Sequence, residues 1–153
     1  MIGKLTKGEL PWPLLMLGPA GSGKTCAALC LLDHAGGFYY TAAGLCEVFI
    51  QAQQGRLTMP VNGRLVYPEN LWAELAGTAL VVLDELGARE KVTEFHYDTM
   101  KRLLDEREGR PLICVSNLNI GQLGRIYDDR VASRLAAGTA VALDGTDRRL
   151  IGK

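Results

Sequence analysis

One stretch of eight residues, 18–25, constrains the fold of this chain more than any other feature of the sequence. It reads Gly-Pro-Ala-Gly-Ser-Gly-Lys-Thr and fits the pattern G-x-x-x-x-G-K-[ST] at every fixed position. A short apolar run, residues 13–17, precedes it, and a helix-forming run, residues 24–33, follows it. This is the strand–loop–helix context that the pattern requires. The sequence therefore predicts a loop between a buried strand and the first turn of a helix.

The chemistry of such a loop is the wrapping of a phosphate. Glycines allow the backbone N–H groups to approach an anion closely, and the start of a helix favours negative charge. Lys24 is expected to reach the β- and γ-phosphates, and the Thr25 hydroxyl to help hold Mg²⁺. An ordinary glycine turn is a poorer explanation than a phosphate-binding loop, because all eight residues and both flanking segments match the pattern. The sequence thus predicts ATP and Mg²⁺ as ligands, with the nucleotide held by Gly18, Pro19, Ala20, Gly21, Ser22, Gly23, Lys24 and Thr25.

The composition is that of a globular protein without a charge bias. The chain has 153 residues, which at about 150 residues per domain predicts one domain spanning 1–153. Lys and Arg number 17 and Asp and Glu number 17, so the formal net charge is zero. A long-range positive field that attracts nucleic acid is therefore not the default interpretation, and any DNA or RNA binding must come from a local patch. Residues 1–10 contain no apolar block, and no apolar run approaches the length of a membrane span, so we expect a cytoplasmic protein with no membrane contact.

The four cysteines are too few and too scattered for a disulfide framework. Cys26, Cys30 and His34 do recur at i, i+4 and i+8, along one face of the helix predicted after the loop. No second ligand cluster completes a tetrahedral metal site, and free cysteine is among the most buried residue types. We therefore expect these three residues to form a packed helix face.

Apolar runs alternate with helical segments along the chain. Continuous apolar runs such as 13–17, 79–83 and 111–115 are typical of strands in a parallel sheet that is covered on both faces. Further strands are expected at 38–41 and 139–143. Helices are expected at 24–33, 43–54 (capped by Thr41), 71–75, 92–107 and 127–136, with a loop or frayed connection over 55–70. The predicted fold class is α/β, a three-layer domain with a parallel five-stranded sheet.

Two further signals follow apolar strands. Asp84 and Glu85 come at the end of the run 79–83, and ligands of open α/β sheets bind at the carboxyl ends of strands. Asp84 is placed to orient a magnesium-bound water, and Glu85 to polarise the water that attacks the γ-phosphate. Asn117 follows the run 111–115, where its amide can bond both that water and the γ-phosphate. By itself Ser116-Asn117 is equally well explained as a turn or a helix cap.

A fourth signal is the segment 129–135, Asp-Arg-Val-Ala-Ser-Arg-Leu. Arg130 and Arg134 lie four residues apart and therefore share one face of a helix, from which a guanidinium can reach a phosphate in a neighbouring molecule. In isolation, two solvated arginines are the better interpretation.

In this order and spacing, the four segments resemble the AAA+ ATPases, specifically the branch of helicase loaders and transposition helpers (DnaC, DnaI and IstB-like proteins). The resemblance runs over residues 14–150 and is carried by 18–25, by Val-Leu-Asp-Glu-Leu-Gly at 82–87, by Pro-Leu-Ile-Cys-Val-Ser-Asn at 111–117 and by the arginine segment. It implies a three-layer P-loop NTPase core that hydrolyses ATP slowly and is stimulated by assembly or DNA. It also implies a homo-oligomer through the ATP site, a replicative helicase as partner and single-stranded DNA as a possible one.

The resemblance also implies residue roles. Lys24 and Thr25 are the Walker A pair, Asp84 and Glu85 the Walker B pair, and Asn117 is sensor 1. It favours Arg134 as the finger that acts on the neighbour's nucleotide, with Arg130 in the same interface.

The chain departs from the family at both ends. Only 17 residues precede Gly18, fewer than a helicase-binding module needs, so either the partner contact lies on the core or the module is absent or removed. After Leu135 follow 18 residues, so no C-terminal lid domain is expected, as is common in the loader branch. Arg148 or Arg149 is a candidate to stand near the nucleotide in place of the arginine that such a lid carries.

Three other functions stay open beside a helicase loader. An IstB-like transposition helper shares the same core, and the sequence does not choose between them. A small P-loop kinase, from a different class, has the same loop and length, but the Asp-Glu pair and the late arginine segment argue against it. A nucleotide-dependent interaction module with negligible turnover is a third possibility.

The candidate DNA contacts are basic residues on and after the helix at 92–107 and in the loop at 55–70. The stretch 89–110 carries six basic and six acidic residues, so a solvated mixed-charge helix is the preferred interpretation. Trp12 lies between two prolines and is either an adenine contact or a surface aromatic. The DNA candidates are Lys101, Arg102, Arg107, Arg110, Arg56 and Arg64.

Overall fold

The computed structural model describes residue 4 and residues 7–56, 67–89 and 91–145. Strands and helices alternate along these residues. The strands are β1 (Leu14–Leu17), β2 (Phe38–Thr41), β3 (Val81–Asp84), β4 (Leu112–Ser116) and β5 (Thr139–Ala142). The helices are α1 (Lys24–Ala35), α2 (Ala42–Gln53), α3 (Pro68–Gly77), α4 (Glu94–Glu106), α5 (Ile120–Ile126) and α6 (Asp129–Ala136).

The five strands form one parallel sheet in the order β2-β3-β4-β1-β5. The predicted α/β class and the five-stranded parallel sheet are thereby confirmed. The order matters for function, because β4 lies between β1, which enters the glycine-rich loop, and β3, which ends in Asp84. The carboxyl ends of these three neighbouring strands therefore meet at one edge of the sheet.

Side chains alternate between the two faces of the sheet and form two cores. The smaller core contains Ala28 of α1, and the larger contains residues of the other five described helices. Helices therefore cover both faces, which explains why the central strands β3 and β4 are apolar at every position before their last residue. The strand residues of the smaller core are Leu14, Met16, Val82, Ile113 and Val115, and those of the larger core are Leu15, Val81, Leu83, Leu112 and Cys114.

Short polar side chains fix where the helices begin. The Thr41 hydroxyl accepts from Gly44 N (3.0 Å) at the start of α2, as expected for a cap. Thr93 accepts from His96 N in the same way, so α4 begins at Glu94 and not at 92. α3 begins at Pro68 and is therefore longer than the expected segment 71–75, so the expected loop ends before Pro68. The part of that loop at 57–66 lies outside the described residues.

The helix expected at 127–136 is present as α6, which begins two residues later at Asp129, and a further helix, α5, precedes it between β4 and β5. Asn119 and Gln122 form a reciprocal capping box at the start of α5, a helix that the apolar periodicity did not reveal. Asp128 then caps α6 by accepting from Val131 N (2.8 Å). Tyr127 lies at the junction and is buried.

The prediction that Cys26, Cys30 and His34 form a packed helix face is wrong, since all three residues are exposed. α1 packs on the sheet through Ala28 and its apolar neighbours instead, and Cys26, Cys30 and His34 are not part of that core. Among the described residues, no group of three or more His, Cys, Asp or Glu side chains is arranged to hold a metal ion. None of the described helices combines the length and apolarity that crossing a membrane requires.

Candidate nucleotide-binding site

An open cleft of about 1070 Å³ lies at the carboxyl edge of the sheet. Three segments supply most of its lining: the loop and first turn of α1 from Ala20 onward, residues 84–88 at the end of β3, and residues 115–118 at the end of β4. Each leaves one of three adjacent strands. The sheet order therefore brings together Lys24, Thr25, Asp84, Glu85 and Asn117, the residues predicted to bind and hydrolyse ATP.

The glycine-rich loop has the geometry of an anion cradle. Gly23 has φ +91°, which an L side chain rarely adopts, and a Cβ there would meet no atom within 4 Å. Glycine is therefore required by the backbone conformation, and the space beside it is open. The Lys24 side chain is buried, and its ammonium donates to Gly18 O (2.8 Å) and Pro19 O (2.7 Å). This holds the positive charge at the loop, where a phosphate would lie.

A carboxylate and two hydroxyls meet beside the loop. Thr25 Oγ1 donates to Asp84 Oδ2 (2.8 Å), and Tyr39 Oη of β2 donates to the same oxygen (2.9 Å). Asp84 Oδ1 accepts from Glu85 N (2.7 Å), so both oxygens of this buried carboxylate are oriented. Burial, and next the hydrogen bond to Asp84, raise the pKa of Tyr39 to about 12, so this phenol is protonated and donates.

The residues fit a magnesium ion bound together with phosphates. Mg²⁺ prefers oxygen ligands and is usually held by one or two carboxylates plus substrate phosphates and water. The Thr25 hydroxyl and the Asp84 carboxylate, 2.8 Å apart, form such a partial set at the edge of the cradle.

Glu85 has a conformation that local sequence preference does not explain. Its φ is +57°, and it is the one described residue other than glycine with a positive φ. This backbone conformation costs free energy in a residue other than glycine, and it persists only where surrounding contacts impose it. Glu85 is exposed and lines the cleft, while Asp84 before it is buried. Asn117, one strand away at the end of β4, is also exposed and lines the cleft.

Glu85 also borders a second, smaller cavity of about 190 Å³ on the side of α2. Two buried polar side chains line this cavity, His96 of α4 and Tyr127, with His96 Nε2 and Tyr127 Oη 3.3 Å apart. Burial, followed by the nearby Arg89, lowers the pKa of His96. Burial raises the pKa of Tyr127. Both groups are therefore neutral near pH 7.

The two predicted interface arginines do not line the cleft of their own chain. Both lie on α6; Arg130 is exposed, and Arg134 forms an ion pair with Asp105 of α4. A guanidinium of α6 that acted on a ligand in this cleft would have to come from another copy of the chain.

The DNA-contact hypothesis is wrong for Arg107. Its side chain is 2% exposed, and its guanidinium donates to backbone carbonyls around the end of α3, including Leu75 O (3.1 Å) and Thr78 O (2.7 Å). Burial, and then Arg110, lower its pKa to about 10, so it remains charged at neutral pH. Arg107 is a structural cap and cannot reach a phosphate on the surface.

The other basic candidates have varied surroundings. Arg102 lies 4.4 Å above the Trp72 ring and pairs with Glu106, and the Arg110 guanidinium donates to Ala76 O. Lys101 is half-buried and Arg56 is exposed. Arg64, Arg148 and Arg149 lie outside the described residues. Trp12 packs against the smaller core and is not among the residues that line the cleft.

Two residues of the site were missed by sequence reasoning. Tyr39 reaches Asp84 only because β2 pairs with β3 in parallel, with Thr41 opposite Asp84. Ser116 was noted only as the neighbour of Asn117, although it bonds the loop after Asp84. Neither contact has a signal in the sequence, because each joins residues that are about 30 or more positions apart.

Comparison with known proteins shows that solved structures share this fold. No protein-family model matches this sequence, and no curated protein matches it. The chain is similar to AMPPCP-bound DnaA from Aquifex aeolicus (TM-score 0.73, 19% identity, 98% of this chain and 47% of that one). It is also similar to a DNA replication initiation factor (TM-score 0.72, 18% identity, 93% and 43%) and to DnaI (TM-score 0.60, 20% identity, 97% and 80%).

These likenesses and the site define a class of fold. The chain shares its α/β, P-loop NTPase-like fold with these structures, with the glycine-rich loop, the acidic strand end and the intervening strand in the expected order. It spans less than half the length of the first two structures.

Proposed function

We propose that this chain is a single AAA+ core domain that binds ATP with Mg²⁺, hydrolyses it and assists DNA replication as a loader of a replicative helicase. The observation that carries the proposal is the meeting of Lys24, Thr25, Asp84, Glu85 and Asn117 around one cleft. The fold shared with AMPPCP-bound DnaA supports nucleotide binding. The motif resemblance to the loader branch and the likeness to DnaI over 97% of the chain support helicase loading.

In the proposed reaction, a water oxygen attacks the γ-phosphorus of ATP while the bond from that phosphorus to the bridging oxygen breaks. Glu85 accepts the proton of the water, and Asn117 orients the water against the γ-phosphate. Lys24 offsets the charge of the β- and γ-phosphates, and Thr25 and Asp84 hold the metal. Mg²⁺, when bound there, would supply charge neutralisation at the phosphate oxygens.

The direct test separates binding from turnover. Glu85→Gln keeps the shape of the side chain but cannot accept the proton, so it is expected to bind Mg-ATP normally and to lose turnover by about 100-fold or more. Lys24→Ala is expected to lose binding. Calorimetric titration with Mg-ATP and phosphate release under excess ATP measure the two quantities.

The outcome that contradicts the proposal is a wild-type chain that gives no heat on titration with Mg-ATP, or a Glu85→Gln variant that turns over as wild type does. An exposed carboxylate away from the cleft, Glu108, supplies the matched control Glu108→Gln, which is expected to behave as wild type.

The replication role is tested with the full chain and a purified replicative helicase. We expect Mg-ATP to change the amount of helicase loaded on single-stranded DNA, and the Lys24→Ala chain to have no such effect. A transposition helper would leave helicase loading unchanged, and a kinase would phosphorylate a small acceptor and show no dependence on protein concentration.

A further inference from the structure

The last residue of β4, Ser116, joins the two loops that carry Glu85 and Asn117. Its side chain is buried, with 1% exposure. The hydroxyl donates to Leu86 O (2.6 Å) and accepts from Leu118 N (3.0 Å). A serine hydroxyl has one proton to donate, and here that proton is given to the backbone next to Glu85. One buried hydroxyl therefore bonds both loops at once.

Packing reinforces this link from the other side. A Cβ on Gly87 would lie 2.9 Å from Leu118 Cδ1 and 2.7 Å from Leu123 Cδ2, so the loop after β3 sits directly against the loop after β4. Leu86 N also donates to Val115 O (2.9 Å), which extends the β3–β4 ladder past the end of β3. The segment 85–88 is thus held by β4 and the residues that follow it.

This arrangement accounts for the backbone of Glu85. A positive φ at a glutamate persists only where surrounding contacts impose it. The carbonyl of the next residue, Leu86, is fixed by Ser116, and the amide of Glu85 is fixed by Asp84 Oδ1. These two contacts hold the backbone on both sides of the Glu85 Cα, where φ is positive. Asn117 in turn is flanked by Ser116 and Leu118, which the same hydroxyl ties together.

We infer that Ser116 is a positioning residue for ATP hydrolysis. It fixes the relative positions of the Glu85 carboxylate and the Asn117 amide on the two sides of the attacking water. The inference rests on the proposed function. Ser116 does not need to touch the nucleotide, since it acts through the backbone of its neighbours. Misplacing a catalytic group by a fraction of an ångström lowers turnover without removing the contacts that bind the substrate.

The experiment is a substitution series at Ser116 with turnover and Mg-ATP affinity measured separately. Ser116→Ala removes the donor, and we expect turnover to fall about tenfold or more while the dissociation constant changes by less than about threefold. Ser116→Thr keeps a hydroxyl and is expected to restore most of the turnover. Ser116→Cys preserves volume with a weaker donor, should give an intermediate rate and covers the case in which the alanine variant fails to fold.

A matched control distinguishes positioning from general loss of a buried hydrogen bond. Thr99 is also buried, and its hydroxyl donates to Phe95 O (2.7 Å) within α4, away from the cleft. Thr99→Ala is therefore expected to change thermal stability but not turnover per folded molecule. In an Asn117→Ala background, Ser116→Ala should cost less than it does in wild type, because part of its effect passes through Asn117.

The outcomes separate this inference from the proposed function. If wild type turns over ATP and Ser116→Ala matches it at equal folded concentration, the inference is wrong and the proposed function stands. If wild type is no faster than Glu85→Gln, both fail. If Ser116→Ala and Thr99→Ala lose turnover equally, Ser116 has only a structural role.

Discussion

At the scale of single residues, the site depends on how completely Asp84 is oriented. Its two carboxylate oxygens accept three hydrogen bonds, from Thr25, Tyr39 and Glu85 N. A metal ligand that is held by neighbouring donors binds more tightly than one that is free to rotate. Tyr39 is therefore expected to contribute to magnesium affinity although it lies on a different strand from the loop and from Asp84.

We predict that Tyr39→Phe weakens the binding of Mg-ATP about fivefold, the equivalent of one hydrogen bond of about 1 kcal/mol. ATP without Mg²⁺ should bind as in wild type, because the cradle of α1 is unchanged. Calorimetric titrations with and without Mg²⁺ measure both affinities. Tyr40→Phe is the control, since Tyr40 packs against the larger core on the opposite face of β2. Equal weakening with and without the metal would show that Tyr39 acts on the phosphates.

The sequence predicted the residues around the cleft better than the contacts among them. Lys24, Asp84, Glu85 and Asn117 each follow an apolar strand or open a helix, so their place at the carboxyl edge could be inferred from local patterns. Tyr39 and the positive φ of Glu85 were not foreseen, because both depend on which strands are neighbours and on how the loops pack.

At the scale of helices and strands, long charged side chains have structural uses that their sequence context hides. Arg107 lies one residue beyond α4 in a stretch rich in both charges, which led to its assignment as a surface residue. Its guanidinium instead donates to the carbonyls that the last turn of α3 leaves unpaired. Burial of a charged cap is stable only because these acceptors surround it.

We predict that Arg107→Ala lowers the free energy of unfolding by about 3 kcal/mol, since it leaves several buried carbonyls without a donor. The affinity for Mg-ATP of the folded fraction should not change, because α3 does not line the cleft. Urea denaturation gives the first quantity and calorimetry the second. Arg102→Ala, at an exposed site, is expected to cost less than about 1 kcal/mol. Loss of stability no greater than in this control would contradict the capping role.

The buried contact of His96 with Tyr127 joins α4 to the junction of α5 and α6, and it predicts a pH dependence. The folded state lowers the pKa of His96, so the unfolded chain takes up a proton below about pH 6.5 that the folded chain does not. The stabilisation is therefore complete above the unfolded pKa and is lost as the pH falls through 6.5 toward the folded pKa.

We therefore expect the melting temperature of His96→Gln to fall less between pH 7.5 and 5.5 than that of wild type. His34→Gln, at an exposed histidine, is the control and should keep the wild-type pH dependence. Thermal melts monitored by circular dichroism at matched ionic strength provide the measurement. An unchanged pH dependence in His96→Gln would place the responsible group elsewhere.

Helices and strands were predictable to different degrees. The strands were placed within two residues of their observed ends, because continuous apolar runs between turn residues are distinctive. α5 was missed because it has only seven residues, although the Asn119–Gln122 spacing is a capping signal that could have revealed it. The exposed face of Cys26 and Cys30 was misjudged because small residues of α1, among them Ala28, pack on the sheet in their place.

At the scale of the whole molecule, the cleft lacks a cation that could stabilise charge on the γ-phosphate from outside the loop, among the side chains described around it. Arg134 lies on α6 and pairs with Asp105. If it serves a neighbouring copy, activity must depend on assembly. The rate per chain of wild type is then expected to rise with protein concentration.

We predict that Arg134→Ala binds Mg-ATP as wild type does but loses about 1000-fold in turnover, the magnitude typical of such fingers. A mixture of Arg134→Ala and Lys24→Ala chains should recover part of the activity, since each supplies what the other lacks. Arg125→Ala, at an exposed arginine of α5, is the control and should match wild type. Phosphate release across a range of mixing ratios measures the recovery. Normal turnover by Arg134→Ala alone would exclude a shared site.

The unequal covering of the sheet links ligand binding to folding. Among the described helices, α1 alone contributes to the smaller core, while five others build the larger one. The first turn of α1 also lines the cleft that we propose to hold the phosphates, so a ligand bound there would stabilise this single-helix layer. Amide hydrogens of α1 should exchange with solvent sooner than those of β3 and β4 in the unliganded chain, and saturation with nucleotide should slow them most.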